Sequence, residues 1–594
     1  MADIEIRFDV SQPAKLGLAR AFGWEAVDGV ISLSASPENV PNLLIAARIY
    51  CLSKAETYFL NDASVLQGPL TCRNEAAAVS LLLSKLHPES SGGAPCIATI
   101  RAALSAHCER LWPEFEEGDS LLEGGCSAGE DAGEFDKAAR TFHSWAESRG
   151  VRAGIRLAQF GSLRGCAATR ALGPGDVALS IPRSVLIFDE TIAQTDLGRA
   201  LAAVPHLTPD NVLLLFTMID RHDPDSAWAE YWASLPAKYY TGLSFPEELL
   251  GSLAGTAAAL ELRKAQKHLR ELHAASQPLF ELLLAAYPRL LQREWFSYES
   301  YLWAAELWYS YAFEVGFDPQ EKADAPRPRD ASAAPAFSLR PSTPSESKDT
   351  KPVMVPFACH VNHSPWPHVV RYGRLTAQQT LDFPLYRPCP ASRQLFISYG
   401  PVPNLKLLCY YGFVIRDNPH DLVPLTLEFP EGPLLARRME LLPRLGLTLE
   451  HSLGPGSVSA HLLACLRLSV ADDEELELLE RDCVQREARG LLPLPTATLE
   501  SWRPLETSCI RALNADNERA ALATLRELLA GLETVLEASP LLAADEVASK
   551  NGDEWATSRR FCRNYFDGQR KIVARALEHC SAMERALGEE GETS

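Results

Sequence analysis

The stretch Val355-Pro-Phe-Ala-Cys-His-Val-Asn362-His363-Ser364 runs an apolar strand into a polar turn, so hydrogen-bonding groups are presented at a strand end. Further on, Leu395-Phe-Ile-Ser-Tyr399-Gly400 ends a second strand in Tyr-Gly. A turn follows, and a short helix starts near Asn404 and breaks at Gly412, just before Phe413. A tyrosine hydroxyl at the end of a buried strand, beside a glycine that admits a close neighbour, suits a hydrophobic slot with a polar tip. Cys359, His360 and His363 are metal-binding and nucleophilic residue types. Their spacing at a strand end does not converge on one ion, and no carboxylate or second cysteine supports them, so neither a metal site nor a cysteine hydrolase is expected.

Outward from these motifs the pattern changes several times. From Val151 to Ile187 short apolar runs alternate with glycine and proline, the signature of short strands joined by tight turns. Helical patterns follow from about Asp210 to Ala312, and short strands return from Val353 to Phe429. Two stretches read as connectors: the acidic, glycine-rich Glu114 to Asp136, and Asp318 to Lys351, dense in Pro, Ser, Ala and charge. Neither can bury enough apolar surface to offset the entropy of ordering it. Beyond Leu522, Leu525, Leu528, Leu529, Leu532, Val535 and Leu536 form one apolar helical face, with Asn514 or Asp516 as cap; a second helix is expected from Arg559 to Leu577.

An internal repeat links the two ends. Ile4-Glu-Ile-Arg-Phe8 resembles Leu425-Thr-Leu-Glu-Phe429, Leu43-Leu44 with Arg48 resembles Leu462-Leu463 with Arg467, and Asn74-Glu75 resembles Asn517-Glu518, in the same order. The offset changes where the second copy carries an acidic segment after Val470. The reading is a duplicated helical lobe, one copy at each end.

Taken together and in this order, the motifs resemble the SET-domain methyltransferases of the plant Rubisco large-subunit methyltransferase type. The likeness extends through Trp228-Ala-Glu-Tyr231-Trp-Ala-Ser-Leu235-Pro236, Leu253-Ala-Gly255-Thr256 and Tyr301-Leu-Trp303-Ala304 to Tyr565-Phe-Asp-Gly568-Gln569-Arg-Lys-Ile572. It implies an α+β fold: a SET-domain β core with a helical insertion, flanked by all-α lobes at both ends. The expected units are a helical lobe at 1–113, a linker at 114–133, a SET domain at 134–427 and a helical substrate-binding lobe at 428–590. Within the SET domain, the insertion falls at about 207–300 and a disordered loop at about 318–351.

The resemblance also assigns roles. Tyr399 matches the tyrosine beside the methyl-transfer channel and is the expected catalytic residue. Arg164, Gly165, Asn362, His363, Tyr399, Tyr411 and Phe413 are expected to bind S-adenosyl-L-methionine, and Tyr311, Phe313 and Phe413 the substrate. Asn404 shares the helix that completes the channel walls. Three positions depart from the family pattern: Leu163 stands for a glycine, Tyr311 for an arginine and Cys359 for an aspartate. The implied activity is N-methylation of a protein lysine; the apolar Phe313 suits an alkyl-ammonium stem better than an imidazole. The alternatives are histidine methylation and a non-catalytic binding module.

Composition bounds the rest. With 46% apolar and 23% charged residues the chain is globular. A formal net charge of −20 with no clustered Lys and Arg argues against nucleic acid. The 14 cysteines show no CxxC spacing, as expected of reduced thiols in a cytoplasmic or nuclear protein. No secretory signal or membrane-length apolar run is present, and a monomer acting on a protein substrate is expected.

Overall fold

Alternating burial builds the strands at both ends of the molecule. In the computed structural model, which describes Asp3 to Glu592 apart from residues 53–65, 87–96, 108–131, 318–349, 489–512, 539–553 and shorter interruptions (among them 161–162 and 370–374), Ile4, Ile6 and Phe8 face inward while Glu5 and Arg7 face solvent. The strand Asp3–Arg7 pairs antiparallel with Val30–Ser34, and Val423–Thr426 pairs likewise with Glu450–Leu453. Neither terminal lobe is therefore all-α. The period-two alternation of Ile4-Glu-Ile-Arg-Phe8 and Val423-Pro-Leu-Thr-Leu427 imposes a strand on each, within otherwise helical surroundings. Most of the 114–133 linker and of the 318–351 loop lies outside the described residues; Thr350 and Lys351 already belong to the strand Thr350–Met354.

The middle of the chain, where the resemblance places a SET domain, consists of small sheets. Ile155–Phe160 and Leu163–Ala168 form a hairpin; Thr380–Pro384, Val177–Pro182 and Arg152–Ala153 form a three-stranded sheet; Ala312–Gly316 pairs with Thr350–Met354. Asn362–His363 and Phe396–Ile397 pair in parallel. Between them in sequence come the helices Pro209–Asp220, Ala229–Ser234, Glu247–Ser252, Ala257–Ala286 and Tyr298–Tyr311. Thr208, Thr256 and Ser297 cap three of these, each side-chain oxygen accepting an N–H three residues on. The last helix runs past the expected limit at 300 because Tyr298 to Tyr311 contains neither glycine nor proline.

Three large apolar cores organise the described residues, beside a small cluster of Ala158, Phe160 and Ala167. The largest joins the SET sheets to Phe142, Phe216, Tyr231 and Trp308. The second belongs to the C-terminal lobe but recruits Leu249, Leu253 and Leu262 from the insertion, together with Leu408 and Cys409 from the segment before Gly412. The third is confined to the N-terminal lobe. Among the described residues no helix is long and apolar enough to cross a membrane, and the buried Cys166, Cys359, Cys409, Cys465, Cys562 and Cys580 are free thiols.

The two terminal lobes use the same buried device. Arg48 grips Glu75 through two hydrogen bonds of 2.6 and 2.7 Å, and the Asn74 amide donates to the Arg48 carbonyl at 3.0 Å. Arg467 grips Glu518 at 2.5 and 2.6 Å, and the Asn517 amide donates to the Arg467 carbonyl at 3.1 Å. Each set joins the helix that follows the strand pair (Val40–Cys51; Ala460–Val470) to a later one (Cys72–Lys85; Ala515–Glu537). In the second copy the acidic helix Asp473–Ala488 intervenes, and Asn514 caps the later helix by accepting the Asn517 N–H at 2.8 Å.

Removing one partner of a buried, bidentate pair leaves the other charge uncompensated, at a cost of about 3–5 kcal/mol. Glu75→Gln and Glu518→Gln should each destabilise their own lobe by that order in denaturant unfolding. Replacing both partners of a pair by apolar residues should recover most of the loss; equal instability of the single and double variants would contradict this reading.

Candidate functional site

Tyr399 is fixed from both ends. Its backbone N–H donates to Nδ1 of His363 at 3.0 Å, and its hydroxyl donates to the Val361 carbonyl at 2.9 Å. The ring stacks on His363 at 5.0 Å between centroids. The same Nδ1 also lies 3.3 Å from the Ile397 carbonyl oxygen, so the ring is held against both Ile397 and Tyr399 of the returning segment. Burial pushes the His363 pKa down to about 4, so the ring is neutral at physiological pH. With its O–H committed to Val361, the Tyr399 oxygen keeps its lone pairs as acceptors.

Tyr411 leans on Tyr399 at 5.3 Å and meets Phe413 edge-on at 6.4 Å. Tyr411 comes from a π-helical turn, Leu407–Tyr411, that stops at Gly412, and Phe413 follows that glycine directly. Gly412 has φ +78°, and a Cβ there would lie 2.6 Å from the Tyr240 carbonyl, so the segment ends at a position only glycine fills without strain. The wide turn sends Tyr410 to Glu261 and Tyr309 while Tyr411 faces Tyr399.

Arg164 and Gly165 join this group through Asn362. The Asn362 amide donates to the Arg164 carbonyl at 2.9 Å and to Oε1 of Gln394 at 2.7 Å. A Cβ on Gly165 would lie 2.5 Å from that Gln394 oxygen and 2.9 Å from the Asn362 nitrogen. Gln394, buried and one residue before the second strand's apolar run, is a part of the site that sequence reasoning missed; its proximity to Leu395 is the sole local signal. Gly161 and Ser162, the start of the same turn, lie outside the described residues.

Two of the three departures are neighbours. Burial raises the Tyr311 hydroxyl pKa above its ordinary value, and the adjacent Cys359 raises it further. Burial also pushes the Cys359 thiol up to about 12, and its sulfur lies 3.4 Å from the Tyr231 hydroxyl. The arginine and aspartate of the family pattern are thus replaced by two neutral groups in one buried place. Tyr311 meets Tyr239 edge-on at 5.5 Å and His360 at 6.3 Å. The buried Tyr239 hydroxyl has no hydrogen-bond partner among the described residues, and sequence reasoning did not single it out. Phe313 sits on the next strand, edge-on to Phe383 at 6.3 Å.

Asn404 is spent on structure. Its amide bonds the Ile415 carbonyl (2.9 Å) and Asp421 (3.0 Å), while its oxygen accepts the Ile415 N–H (3.0 Å). It anchors the chain after Gly412 and does not face the aromatic group.

The comparisons follow this geometry. The chain matches the solved structure of the SET domain of LSMT bound to lysine and AdoHcy with a TM-score of 0.56 at 18% identity, over 76% of this chain and 93% of that one. Rubisco LSMT bound to AdoMet gives a TM-score of 0.54 with the same identity and coverage. The chain has the fold of the SET-domain methyltransferases and is related to them in sequence. It is 26% identical over 353 residues to the actin-histidine N-methyltransferase of Drosophila melanogaster, covering 57% of this chain and 61% of that protein. It is 25% identical over 323 residues to SET domain-containing protein 4 of Mus musculus (53% and 68%). The actin-histidine N-methyltransferase of Gallus gallus is 24% identical over 351 residues (56% and 53%). The chain thus spans between about half and two thirds of these relatives. No family model matches it.

Asp421, which holds Asn404, gives a pH test of how the SET core is anchored. Burial pushes its carboxyl from 3.8 up to about 6, despite its bonds to Asn404 and Leu422. The folded protein therefore retains a proton that the unfolded chain has released between about pH 4 and 6, and stability falls as pH rises through that window, by about 2–3 kcal/mol. Asp421→Asn should gain on the wild type by this amount between pH 4 and 7 in urea unfolding. A pH-independent difference between the two would contradict it.

Proposed function

We propose that this chain is an S-adenosyl-L-methionine-dependent protein methyltransferase that N-methylates a lysine side chain. The observation that carries the proposal is the convergence of Tyr399, the Asn362–His363 strand end and the Tyr411–Phe413 wall on one aromatic-lined place. The residues suit such a donor: a polar strand end, an exposed Arg164 and half-buried rings meet there, with the unpartnered Tyr239 hydroxyl beside Tyr311. When bound, S-adenosyl-L-methionine supplies a methyl group on a positively charged sulfur, open to in-line displacement by a neutral amine.

The protein's part is positioning. Asn362, His363, Arg164, Gly165, Tyr411 and Phe413 are assigned to holding the donor, and Tyr311, Phe313 and Phe413 to the acceptor side. Well-oriented groups can gain up to roughly 7–11 kcal/mol from alignment alone. Tyr399, its O–H bound to Val361, can accept weak C–H···O contacts worth about 0.5–1 kcal/mol each. Desolvation in an aromatic channel lowers a lysine pKa and so favours the free amine.

Histidine methylation is the second reading, favoured by the actin-histidine N-methyltransferases among the sequence relatives. An imidazole acceptor needs a hydrogen-bond partner, which Phe313 cannot supply. A non-catalytic module is the third, favoured by Leu163, Tyr311 and Cys359. We further infer that residues 1–113 and the lobe from 428 onward are copies of one unit, which the repeated Arg–Glu–Asn arrangement supports.

Tyr399→Phe should reduce methyl transfer to proteins of a cell extract about 10- to 100-fold while leaving donor affinity nearly intact; unchanged transfer would remove Tyr399 from its role. Mass spectrometry of the methylated proteins should find modified lysine. Modified histidine alone would establish the second reading, and donor binding without any modification the third.

A further inference from the structure

A buried carboxyl stands behind the wall that carries Tyr411 and Phe413. Glu306 lies in the helix Tyr298–Tyr311 beside the fully buried Ala304, Ala305 and Leu307, and is itself only 3% exposed. Burial pushes its pKa up to about 7, while the hydroxyls of Thr241 and Ser244 and the charge of Lys238 work the other way. Lys238 is itself paired with Glu554 at 2.6 Å. A buried carboxyl held by hydroxyls costs stability that an apolar residue at the same place would not, so its presence calls for a task.

The geometry supplies one. The Thr241 hydroxyl donates to Oε1 of Glu306 at 2.6 Å and accepts the Leu243 N–H at 3.2 Å, opening the short turn Gly242–Ser244. Glycine at both 242 and 412 lets two backbones touch here. A Cβ on Gly242 would lie 2.9 Å from the Cys409 Cα, and one on Gly412 3.2 Å from the Thr241 Cα and 2.6 Å from the Tyr240 carbonyl oxygen. A displacement of residues 240–242 is therefore passed directly to residues 409–412. Four residues beyond Glu306, on the same helix face, the Ser310 hydroxyl donates to the Tyr410 carbonyl at 2.6 Å. That face thus holds the turn Leu407–Tyr411 directly through Ser310, and from behind through Glu306 and Thr241. The same helix ends at Tyr311, two residues before Phe313, so one element governs both sides of the acceptor passage.

We propose that Glu306 is a positioning residue for methyl transfer: by accepting the Thr241 hydroxyl it fixes the backbone of residues 240–242, against which residues 409–412 rest, and so sets where Tyr411 and Phe413 stand. The assignment rests on the methyltransferase reading above and adds to it a residue that touches neither donor nor acceptor. Glu306 acts through Thr241, and the two glycines are the points at which its hold reaches the wall.

Amide hydrogen exchange of the full chain, followed by mass spectrometry, reads the wall without donor or acceptor. Glu306→Ala should speed exchange in peptides covering residues 407–413 about 10-fold and leave the strands Val177–Pro182 and Thr380–Pro384 unchanged. It should also lower methyl transfer to proteins of a cell extract about 10- to 100-fold, because a small misplacement of a channel wall spoils alignment. Thr241→Val should reproduce both effects, and the double variant should be no worse than either single one. Glu306→Gln, which keeps an acceptor oxygen of the same reach, should stay within about 3-fold of the wild type in both readouts. Unchanged exchange at 407–413 in Glu306→Ala and Thr241→Val, acceleration spread evenly over the chain in both, or local acceleration with full transfer would overturn the assignment and leave the methyltransferase reading intact. A wild type that neither transfers methyl groups nor binds S-adenosylhomocysteine would overturn that reading, and the assignment with it.

Discussion

Two pairs of residues, Asn362–His363 and Phe396–Ile397, lie parallel, and the rest of the site depends on that pairing. Parallel strands cannot be joined by a tight turn, so the chain between them must travel. Here it goes out to the sheet that Thr380–Pro384 makes with Val177–Pro182 and returns through Gln394. The return sets Tyr399 against His363, and the two hydrogen bonds of Tyr399, one from its backbone and one from its hydroxyl, lock the strand ends beyond what a ladder so short could hold. Gln394 adds a third tie by holding Asn362 against the Arg164 turn.

The second constraint is electrical. Placing an arginine and an aspartate in the core requires both, because either alone is a buried uncompensated charge. Tyr311 and Cys359 place neutral groups there instead, and burial keeps both in their neutral forms. The acceptor-side wall has a different support: Leu408 and Cys409 pack in the core of the C-terminal lobe, so Tyr411 and Phe413 are held by the lobe assigned to substrate binding. Lys238, at 2.6 Å from Glu554 and 5.1 Å from the Trp555 ring, ties the insertion to that lobe close to Tyr240 and Gly412.

Much of this was legible in the sequence because it is local. A strand running into Asn-His, and another ending in Tyr-Gly before a helix stopped by glycine, can be read within a few residues of each other. The Arg–Glu–Asn arrangement was legible because a buried Arg–Glu pair with a supporting Asn tolerates few substitutes, so Arg48, Asn74 and Glu75 are matched by Arg467, Asn517 and Glu518. The all-α description of the lobes failed because the apolar alternation of Ile4, Ile6 and Phe8 was weighed as part of a helical repeat. Gln394 and Tyr239 were hardly legible: their partners come from distant segments, and apart from the place of Gln394 next to Leu395 nothing around them in sequence marks a polar group facing the site. Asn404 misled for the same reason, since Ile415 and Asp421 become its partners only once the chain has turned back.

The most direct test of the central claim is a crystal structure of the full chain grown with S-adenosylhomocysteine. The account predicts the nucleoside beside the Asn362–His363 strand end and Gly165, its sulfur directed toward the Tyr399 hydroxyl, and the Phe413 side left open for an acceptor. Density for the ligand elsewhere on the molecule, or a complex in which Tyr399 and Asn362 lie far from the sulfur, would contradict it.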